Sequence, residues 1–189
     1  ESAITGFSAV LVDDYAGGRL AAQHLLEKGH TRCGYVYFGA HPDYAIHPET
    51  ERLAGFRETL SEHGVALPDE YIRYVPVSRY GIEEQLRALF DLPEPPTGLF
   101  VPADDLAIRV IHRARELGVH TPRDISVIGF DGIDIAEHVD LTTISQSLVE
   151  SGRTAVELLM ARLTDPDRPV QHIRHGVHLI ERGTTRAIE

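Results

Sequence analysis

The sequence predicts an α/β protein built on a doubly wound, mostly parallel β-sheet. Short apolar runs that suit buried strands alternate along the chain with helical patterns, most of which end at a glycine. That alternation is typical of parallel strands joined by helical crossovers. The 189 residues are 42% hydrophobic and 25% charged, which is typical of a soluble globular protein with one good core or two small ones.

The first half of the chain contains three strand–helix units. The predicted elements are a strand at 9–12, a helix at 14–28, a strand at 34–38, a helix from about 48 to 64, a strand at 71–77 and a helix at about 81–91. Gly29 and Gly64 end the first two helices, because glycine readily adopts the left-handed conformation with which helices often finish. Pro48 suits the first turn of the second helix.

The second half follows a proline-rich break at 93–96. Its predicted elements are a strand at 98–102, a helix from 104 through 117, strands at 124–131 and 141–145, an amphipathic helix at about 147–163 and a strand at 176–181. Asp104 and Asp105 open the first of these helices, and Gly118 ends it.

The charge balance and the single cysteine exclude several classes of protein. With 18 basic and 29 acidic residues the formal charge is −11, so this surface is unsuited to wrapping a phosphate backbone. Cys33 alone rules out an internal disulfide framework and fits a reducing compartment, which suggests the cytoplasm. The sequence shows no signal peptide, no run of eighteen apolar residues and no initiator methionine. We therefore expect a fragment whose upstream part is missing.

Acidic residues follow two neighbouring strands at the point where each strand ends. Asp131 lies between Gly129 and Gly132, and Asp104 follows the preceding strand. A long histidine-containing loop at 39–51 follows another strand. In an open doubly wound sheet, ligands bind beyond the carboxyl ends of the strands, so these groups are candidates for one site. The alternative is that Asp131 and Asp104 only cap the helices that follow them, which Asp does well.

Arg52 is the second unusual residue. It lies in the first turn of its helix, where a cation opposes the helix dipole at a cost of about 0.3–1 kcal/mol. A guanidinium directed into the crevice could offer forked hydrogen bonds to ligand hydroxyls or to a carboxylate. The alternative is a solvated arginine that pairs with Glu49 or Glu51.

Enzymatic and metal-dependent functions are weakly supported, so we predict neither an enzyme nor a cofactor. The acids could form a Mg²⁺ or phospho-acceptor cluster, but no lysine follows a late strand as that chemistry requires. His41, His47 and His63 lack the paired spacing of a zinc site. Cys33 has no nucleophile motif around it, GxSxG and GxGxxG are absent, and Gly17–Gly18 is too weak a signal for a phosphate loop.

Several ordered segments resemble the lactose-repressor (LacI/GalR) family of bacterial transcriptional regulators. They are GHTRCGYV from position 29, RLAGF from position 52, TGLFVPADDLAIRVIHRARELGVHTPRDISVIGFDGI from position 97, LTTISQ from position 141 and LIERGTTR from position 179. The resemblance covers about residues 9–186. It implies a periplasmic-binding-protein-like effector domain, with two α/β lobes, three crossover segments and a ligand cleft between the lobes. Members of the family also carry a helix-turn-helix headpiece and dimerise.

Set against the family, the chain corresponds mostly to one lobe. The resemblance implies that residues 13–141 and 174–186 form the C-terminal lobe, that 1–12 and 142–173 are remnants of the N-terminal lobe and crossovers, and that the DNA-binding headpiece is absent. The helix at 147–163 would then lack its usual partner. We expect its apolar face to associate with other surfaces or to drive dimerisation. That face comprises Val149, Ala155, Val156, Leu159 and Leu163.

The resemblance also implies which residues bind the effector. Arg52 of RLAGF matches an arginine that reaches the effector, and Asp131 of GFD matches an acid that binds effector hydroxyl or amine groups. Asp104 falls where the family has a polar residue facing the cleft. Tyr44 and His47, in a long loop before Arg52, complete the predicted site. A sugar or sugar derivative is the family's most frequent effector, although amines and purines also occur.

The resemblance implies a sensor whose lobes close on the effector, so that binding modulates the operator affinity of the full-length dimer. The alternative is a periplasmic-type sugar-binding protein of a transport system, since such proteins have similar lobes. The LIERGTTR segment, which is similar to the tail of the regulators, favours the regulator.

Overall fold

The computed structural model describes residues 6–38, 48–75 and 79–188, and these fold into two sheets with helices packed around the larger one. The elements, in chain order, are β1 (Ala9–Val12), α1 (Asp14–Glu27), β2 (Cys33–Phe38), α2 (Pro48–Glu62), a 3₁₀ turn (Asp69–Tyr71), β3 (Ile72–Val75), α3 (Arg79–Phe90), β4 (Gly98–Phe100), α4 (Asp104–Glu116), β5 (Ser126–Asp131), α5 (Asp134–His138), β6 (Thr143–Ser145), α6 (Leu148–Thr164), β7 (His172–His175) and β8 (His178–Ile180).

The larger sheet has six strands in the order β3-β2-β4-β5-β6-β8. Its first five strands are parallel, and β8 runs antiparallel to β6. The second sheet contains β1 and β7, which pair in parallel from Ala9 opposite His172 to Val12 opposite His175. The predicted fold class, an α/β protein with a doubly wound, mostly parallel sheet, is confirmed.

Two elements of the structure were not predicted. The short helix α5 follows the GFDG turn, and the chain near residue 175 forms two strands in different sheets where one strand at 176–181 was expected. The reason is that β7, with the sequence HIRH, has only one apolar residue and half of its positions are exposed. No apolar run marks it as a strand.

The core of the larger sheet is rich in aromatic side chains. Tyr35, Phe56, Phe100 and Phe130 are fully buried. The ring centroids of Phe56 and Phe100 lie 5.3 Å apart, and those of Tyr35 and Phe100 lie 5.5 Å apart with the planes close to perpendicular. Such tilted and edge-on pairs stabilise the core beyond simple burial. The core therefore extends directly beneath the carboxyl ends of β4 and β5.

Helices α1 and α2 approach each other closely because glycines lie at their contact. A Cβ atom on Gly18 would lie 2.0 Å from the carbonyl oxygen of Arg52, and one on Gly55 would lie 2.1 Å from that of Tyr15. A Cβ atom on Gly17 would lie 2.4 Å from the ring of Phe130. The Gly17–Gly18 pair is therefore a packing feature, and it brings the amino-terminal halves of α1 and α2 together.

The segment that follows β8, residues 181–188, lies against the amino-terminal half of the chain. Buried His24 shares a hydrogen bond with Thr185 (Nε2 to Oγ1, 2.8 Å), and buried His30 lies within hydrogen-bonding distance of Ser126 Oγ and the Arg186 carbonyl oxygen. The backbone N–H of Ile188 donates to the carbonyl oxygen of Lys28. Burial lowers the pKa of both histidines. We call residues 181–188 the C-terminal segment.

Helix α6 is the least buried helix of the described chain. It contacts β1, yet no residue along it is buried. Several large apolar side chains of α6 are at least half exposed to solvent: Leu148, Val149, Val156, Leu159, Met160 and Leu163. Among the described residues, no helix has the length and apolar character needed to cross a membrane.

Candidate functional site at the carboxyl end of the sheet

The candidate site lies where the carboxyl ends of β4, β5 and β6 meet the amino-terminal parts of α1 and α2. Four polar side chains contribute to it: Asp14 from α1, Arg52 from α2, Asp131 at the end of β5 and Gln146 after β6. We call these four residues the rim cluster. The parallel sheet brings the β5 and β6 ends to one edge, and the glycine contact between the two helices places Arg52 beside Asp14.

Arg52 is held on several sides. Its Nε donates to Asp14 Oδ1 at 2.8 Å, its Nη1 donates to the Pro102 carbonyl oxygen at 2.6 Å, and its Cζ lies 3.5 Å from the centroid of the Phe130 ring. Only 8% of the residue is exposed, so the interpretation of Arg52 as a solvated surface arginine is wrong. Arg52 is the fifth residue of α2 and lies just past the first turn, so the expected dipole penalty is small, and the ion pair and the cation–π contact stabilise its charge. The guanidinium is thus fixed in direction.

Asp14 is a site residue that was not predicted from the sequence. It lies in the first turn of α1, just after Asp13, whose side chain caps the helix by accepting from the Ala16 N–H. Burial raises the pKa of Asp14, while the positive charge of Arg52 and its hydrogen bond act in the opposite direction. An acid in a first turn is common, so only the packing of α1 on α2 distinguishes Asp14.

Asp131 ends β5 with an unusual backbone. Its φ is 124°, a conformation that side-chain-bearing residues rarely adopt. Its Oδ1 accepts from Gln146 Nε2 at 2.7 Å. Burial raises the pKa of the carboxyl to about 6; the positive charge of Arg52 opposes the rise, and the negative charge of Asp104 adds to it. Gln146 was not predicted as a site residue, although it closes the LTTISQ motif on which the resemblance partly rested.

Asp104 lies beneath the rim and is fully buried. Its Oδ2 accepts from the backbone N–H groups of Gly132 (2.8 Å) and Ile133 (3.0 Å), and its Oδ1 accepts from Thr143 Oγ1 (2.6 Å). Burial raises its pKa, against the effect of these hydrogen bonds. Its carboxylate is therefore directed at protein groups.

The alternative that Asp104 and Asp131 only cap the helices that follow them is wrong. The N-caps of α4 and α5 are Ala103 and Ile133, and neither helix has a side-chain cap. Asp104 instead binds the turn between β5 and α5, and Asp131 bonds to Gln146.

The remaining predicted positions add nothing to the described site. Tyr44 and His47 lie outside the described residues, so their role stays a prediction. The side chain of Asp105 is 76% exposed and lies 3.6 Å from Arg109 on the surface of α4. Within the described ranges, no group of three or more His, Cys, Asp or Glu side chains is arranged to hold a metal ion.

Comparison with protein families gives one match over most of the chain. The model of the periplasmic binding protein-like domain matches residues 22–185. Among curated proteins, the HTH-type transcriptional repressor CytR of Escherichia coli K12 is 32% identical over 186 residues, which is 95% of this chain and 52% of the repressor. The ribose operon repressor of the same organism is 32% identical over 170 residues, 89% of this chain and 50% of that protein. The chain thus spans about half the length of these relatives.

Solved structures give the same result. A LacI family transcriptional regulator from Enterococcus faecium, crystallised with bound ribose, superposes with a TM-score of 0.84 at 32% identity. The superposition covers 98% of this chain and 68% of that regulator. The likeness therefore extends over nearly the whole of this chain, including both sheets.

Proposed function

The chain belongs to the LacI family of transcriptional regulators, as a periplasmic binding protein-like domain, and from this membership we propose that it senses a small-molecule effector for a DNA-binding regulator. The relatives are repressors, which favours this function over sugar binding for a transport system and over an enzymatic activity.

The observation that carries the proposal is the geometry of the rim cluster. Arg52 and Asp131 are held by protein partners at the carboxyl end of a parallel sheet, which is where ligands bind in this class of fold. The charges of Asp131 and Arg52 influence each other, and Gln146 adds an amide that is able both to donate and to accept. A fixed donor, a fixed acceptor and an amide together suit a ligand with several hydroxyl groups.

We propose a sugar or sugar derivative as the effector. Neighbouring hydroxyls could bridge an arginine and a carboxylate without adding net charge to the site, whereas an anionic ligand would meet the negative charge of Asp131. The regulator from E. faecium holds ribose, which makes ribose the first compound to test.

The effector would act by closing a cleft between two lobes. We propose that residues 13–141 and 174–186 form the C-terminal lobe, and that 1–12 and 142–173 belong to a second lobe and to the crossovers. Two features of α6 support a second lobe that packs against this helix. One face of α6 exposes apolar side chains, and an apolar cavity lies between α6 and β1, lined by Phe7, Val10, Leu159 and Val170. Effector binding can shift the equilibrium between open and closed lobes only as far as its affinities for the two states differ.

The partners of the sensor follow from the same family. We propose that the full-length regulator forms a homodimer in the cytoplasm and contacts operator DNA through a separate helix-turn-helix headpiece. The charge of −11 on this chain supports that division, since DNA binding requires concentrated positive charge.

Isothermal titration calorimetry of the purified protein against ribose, other sugars, polyols, amines and purines tests the proposal. We expect a hit among the sugars or polyols whose affinity falls at least about tenfold in Arg52→Lys and in Asp131→Asn, because lysine lacks the planar, forked donors of the guanidinium and asparagine lacks the negative charge of the carboxylate. The matched controls are Arg57→Lys on the same helix and Asp105→Asn, both of which alter exposed side chains.

Each outcome of the titration bears on the proposal. Equal affinities in the site and control variants would remove the rim cluster from the binding site. A hit confined to amines or purines would retain the sensor function but overturn the sugar assignment.

A further inference from the structure

Asp104 connects three parts of the site from below. Its two carboxylate oxygens accept hydrogen bonds from the turn after β5 and from Thr143 in β6, while the residue itself begins α4 after β4. Because the group is fully buried and its oxygens are occupied by protein donors, a ligand would have to displace these bonds to reach it.

The turn that Asp104 binds is the one that directs Asp131. Asp131 has a φ of 124° and is followed at once by Gly132 with a φ of 71°, so two successive residues have positive φ. The N–H groups of Gly132 and Ile133 are the first donors after this strained position, and both point at Asp104 Oδ2. A conformation of this kind persists only where surrounding contacts impose it.

The glycines on either side of Asp131 are explained by the same arrangement. A Cβ atom on Gly129 would lie 2.2 Å from Asp104 Oδ1, so glycine leaves room for the carboxylate. A Cβ atom on Gly132 would lie 2.7 Å from the side chain of Ser145, so glycine also lets the turn lie against β6. In the sequence GFDG, the first glycine therefore accommodates the buried Asp104 and the second accommodates β6.

We propose that Asp104 is a positioning residue: its buried carboxylate imposes the backbone conformation that directs Asp131 toward the ligand, and Asp104 does not itself contact the ligand. The functional part of this inference rests on the proposed effector-binding function. The structural part, that Asp104 determines the conformation of Asp131, stands without it.

Solution NMR of Asp104→Asn and Thr143→Val tests the structural part without any ligand. The three-bond HN–Hα coupling of Asp131 is small at a φ of 124° and large in an extended strand, so it reports the conformation directly. We expect this coupling to rise in Asp104→Asn and the amide protons of Gly132 and Ile133 to shift upfield, with a smaller change in Thr143→Val. Asp105→Asn, which alters an exposed neighbour, is the matched control.

Ribose titration of the same variants tests the functional part. We expect about a tenfold loss of affinity in Asp104→Asn, and no further loss when Asp104→Asn is added to Asp131→Asn, because the first change acts through the second residue. A direct ligand contact would instead give additive losses and an unchanged Asp131 coupling.

The two readouts separate the possible failures. Unchanged coupling and amide shifts would overturn the positioning role whether or not ribose binds. A changed coupling with unaltered ribose affinity would overturn the link to binding. If the parent protein does not bind ribose, that failure belongs to the proposed effector, and the coupling still decides the structural part. Should Asp104→Asn fail to fold, Thr143→Val provides the same test, since it removes a single hydrogen bond and keeps the side-chain shape.

Discussion

Replacing Asp131 with asparagine is expected to stabilise the protein at neutral pH while it weakens effector binding. The introduced amide would keep a hydrogen bond to Gln146, and asparagine tolerates positive φ at least as well as aspartate. What the substitution removes is a partly buried carboxyl group, whose ionisation the folded protein disfavours.

The pKa of Asp131 gives the magnitude of this effect. It rises from 3.8 to about 6, a difference of roughly two units, and each unit corresponds to about 1.4 kcal/mol. The upper limit of the gain in the free energy of unfolding is therefore about 3 kcal/mol. Because Asp131 is only partly buried, solvent screening reduces the effect, and we expect about 1–2 kcal/mol.

The sign of the pH dependence follows from the raised pKa. Below pH 3.8 the carboxyl is protonated in both the folded and unfolded states, so it carries no penalty. Between pH 3.8 and about 6 the unfolded state ionises first, and the penalty grows; above about pH 6 it is complete. The variant should accordingly exceed the parent in stability above pH 6, and this advantage should shrink as the pH falls toward 4.

Urea unfolding of parent and variant at a series of pH values from 4 to 8 measures the difference directly. Because other titrating groups are shared, they largely cancel in the difference between the two proteins. A variant that is less stable than the parent at pH 7.5, or whose advantage does not change with pH, would refute the reasoning. In that case the surroundings would stabilise the ionised carboxylate of Asp131, and the presence of an acid at this position would need no functional explanation.

Four further predictions follow from the packing. Gly18→Ala should lower the free energy of unfolding by about 2–3 kcal/mol, because its Cβ would meet the α2 backbone, whereas Gly152→Ala, with nothing within 4 Å, should be neutral or stabilising; urea unfolding compares them. Thr59→Val should raise the melting temperature through a gain of about 1 kcal/mol, since the buried Thr59 hydroxyl has no hydrogen-bond partner among the described residues. Burial lowers the pKa of the two histidines that hold the C-terminal segment, so stability should fall as the pH drops below 6.5; unfolding in the Asp131→Asn background isolates this trend. Leu159→Ser, at a position that is 58% exposed, should leave stability within about 0.5 kcal/mol but reduce self-association, as measured by light scattering.

The sequence predicted the order of most of the elements and two of the three charged residues of the rim cluster, Arg52 and Asp131, since both follow from local patterns. Apolar runs with glycine stops mark strands and helices, and an arginine in a first turn is conspicuous wherever it occurs. Asp14 and the true role of Gly17–Gly18 were missed for one reason: both depend on how α1 packs against α2, and nothing local to either helix reports that contact.

The contacts of Asp104 also depend on residues that are distant in the sequence. Its position after a strand was predicted correctly, but its direction was not: the resemblance implied a side chain that faces the cleft, whereas the carboxylate is buried and accepts hydrogen bonds from protein groups. Whether such an acid faces the crevice or the core is decided by the absence of a side chain at Gly129, 25 residues later in the chain, and by the hydroxyl of Thr143. The strand β7 was missed because its pairing with β1 joins residues more than 160 positions apart and leaves no apolar signature.

The C-terminal segment has a consequence for how the protein forms in the cell. Its side-chain contacts with α1 and with His30 join residues 161 and 156 positions apart, and it supplies the partner for the N–H of Val127 at the start of β5. Contacts of such long range slow folding, because the intervening chain must be ordered before they form. During synthesis, α1 and the central strands of the larger sheet therefore lack these final contacts until residues 181–188 have left the ribosome. Chaperone dependence should be greatest in that interval, and disrupting the contacts of this segment should be more damaging than its small size suggests.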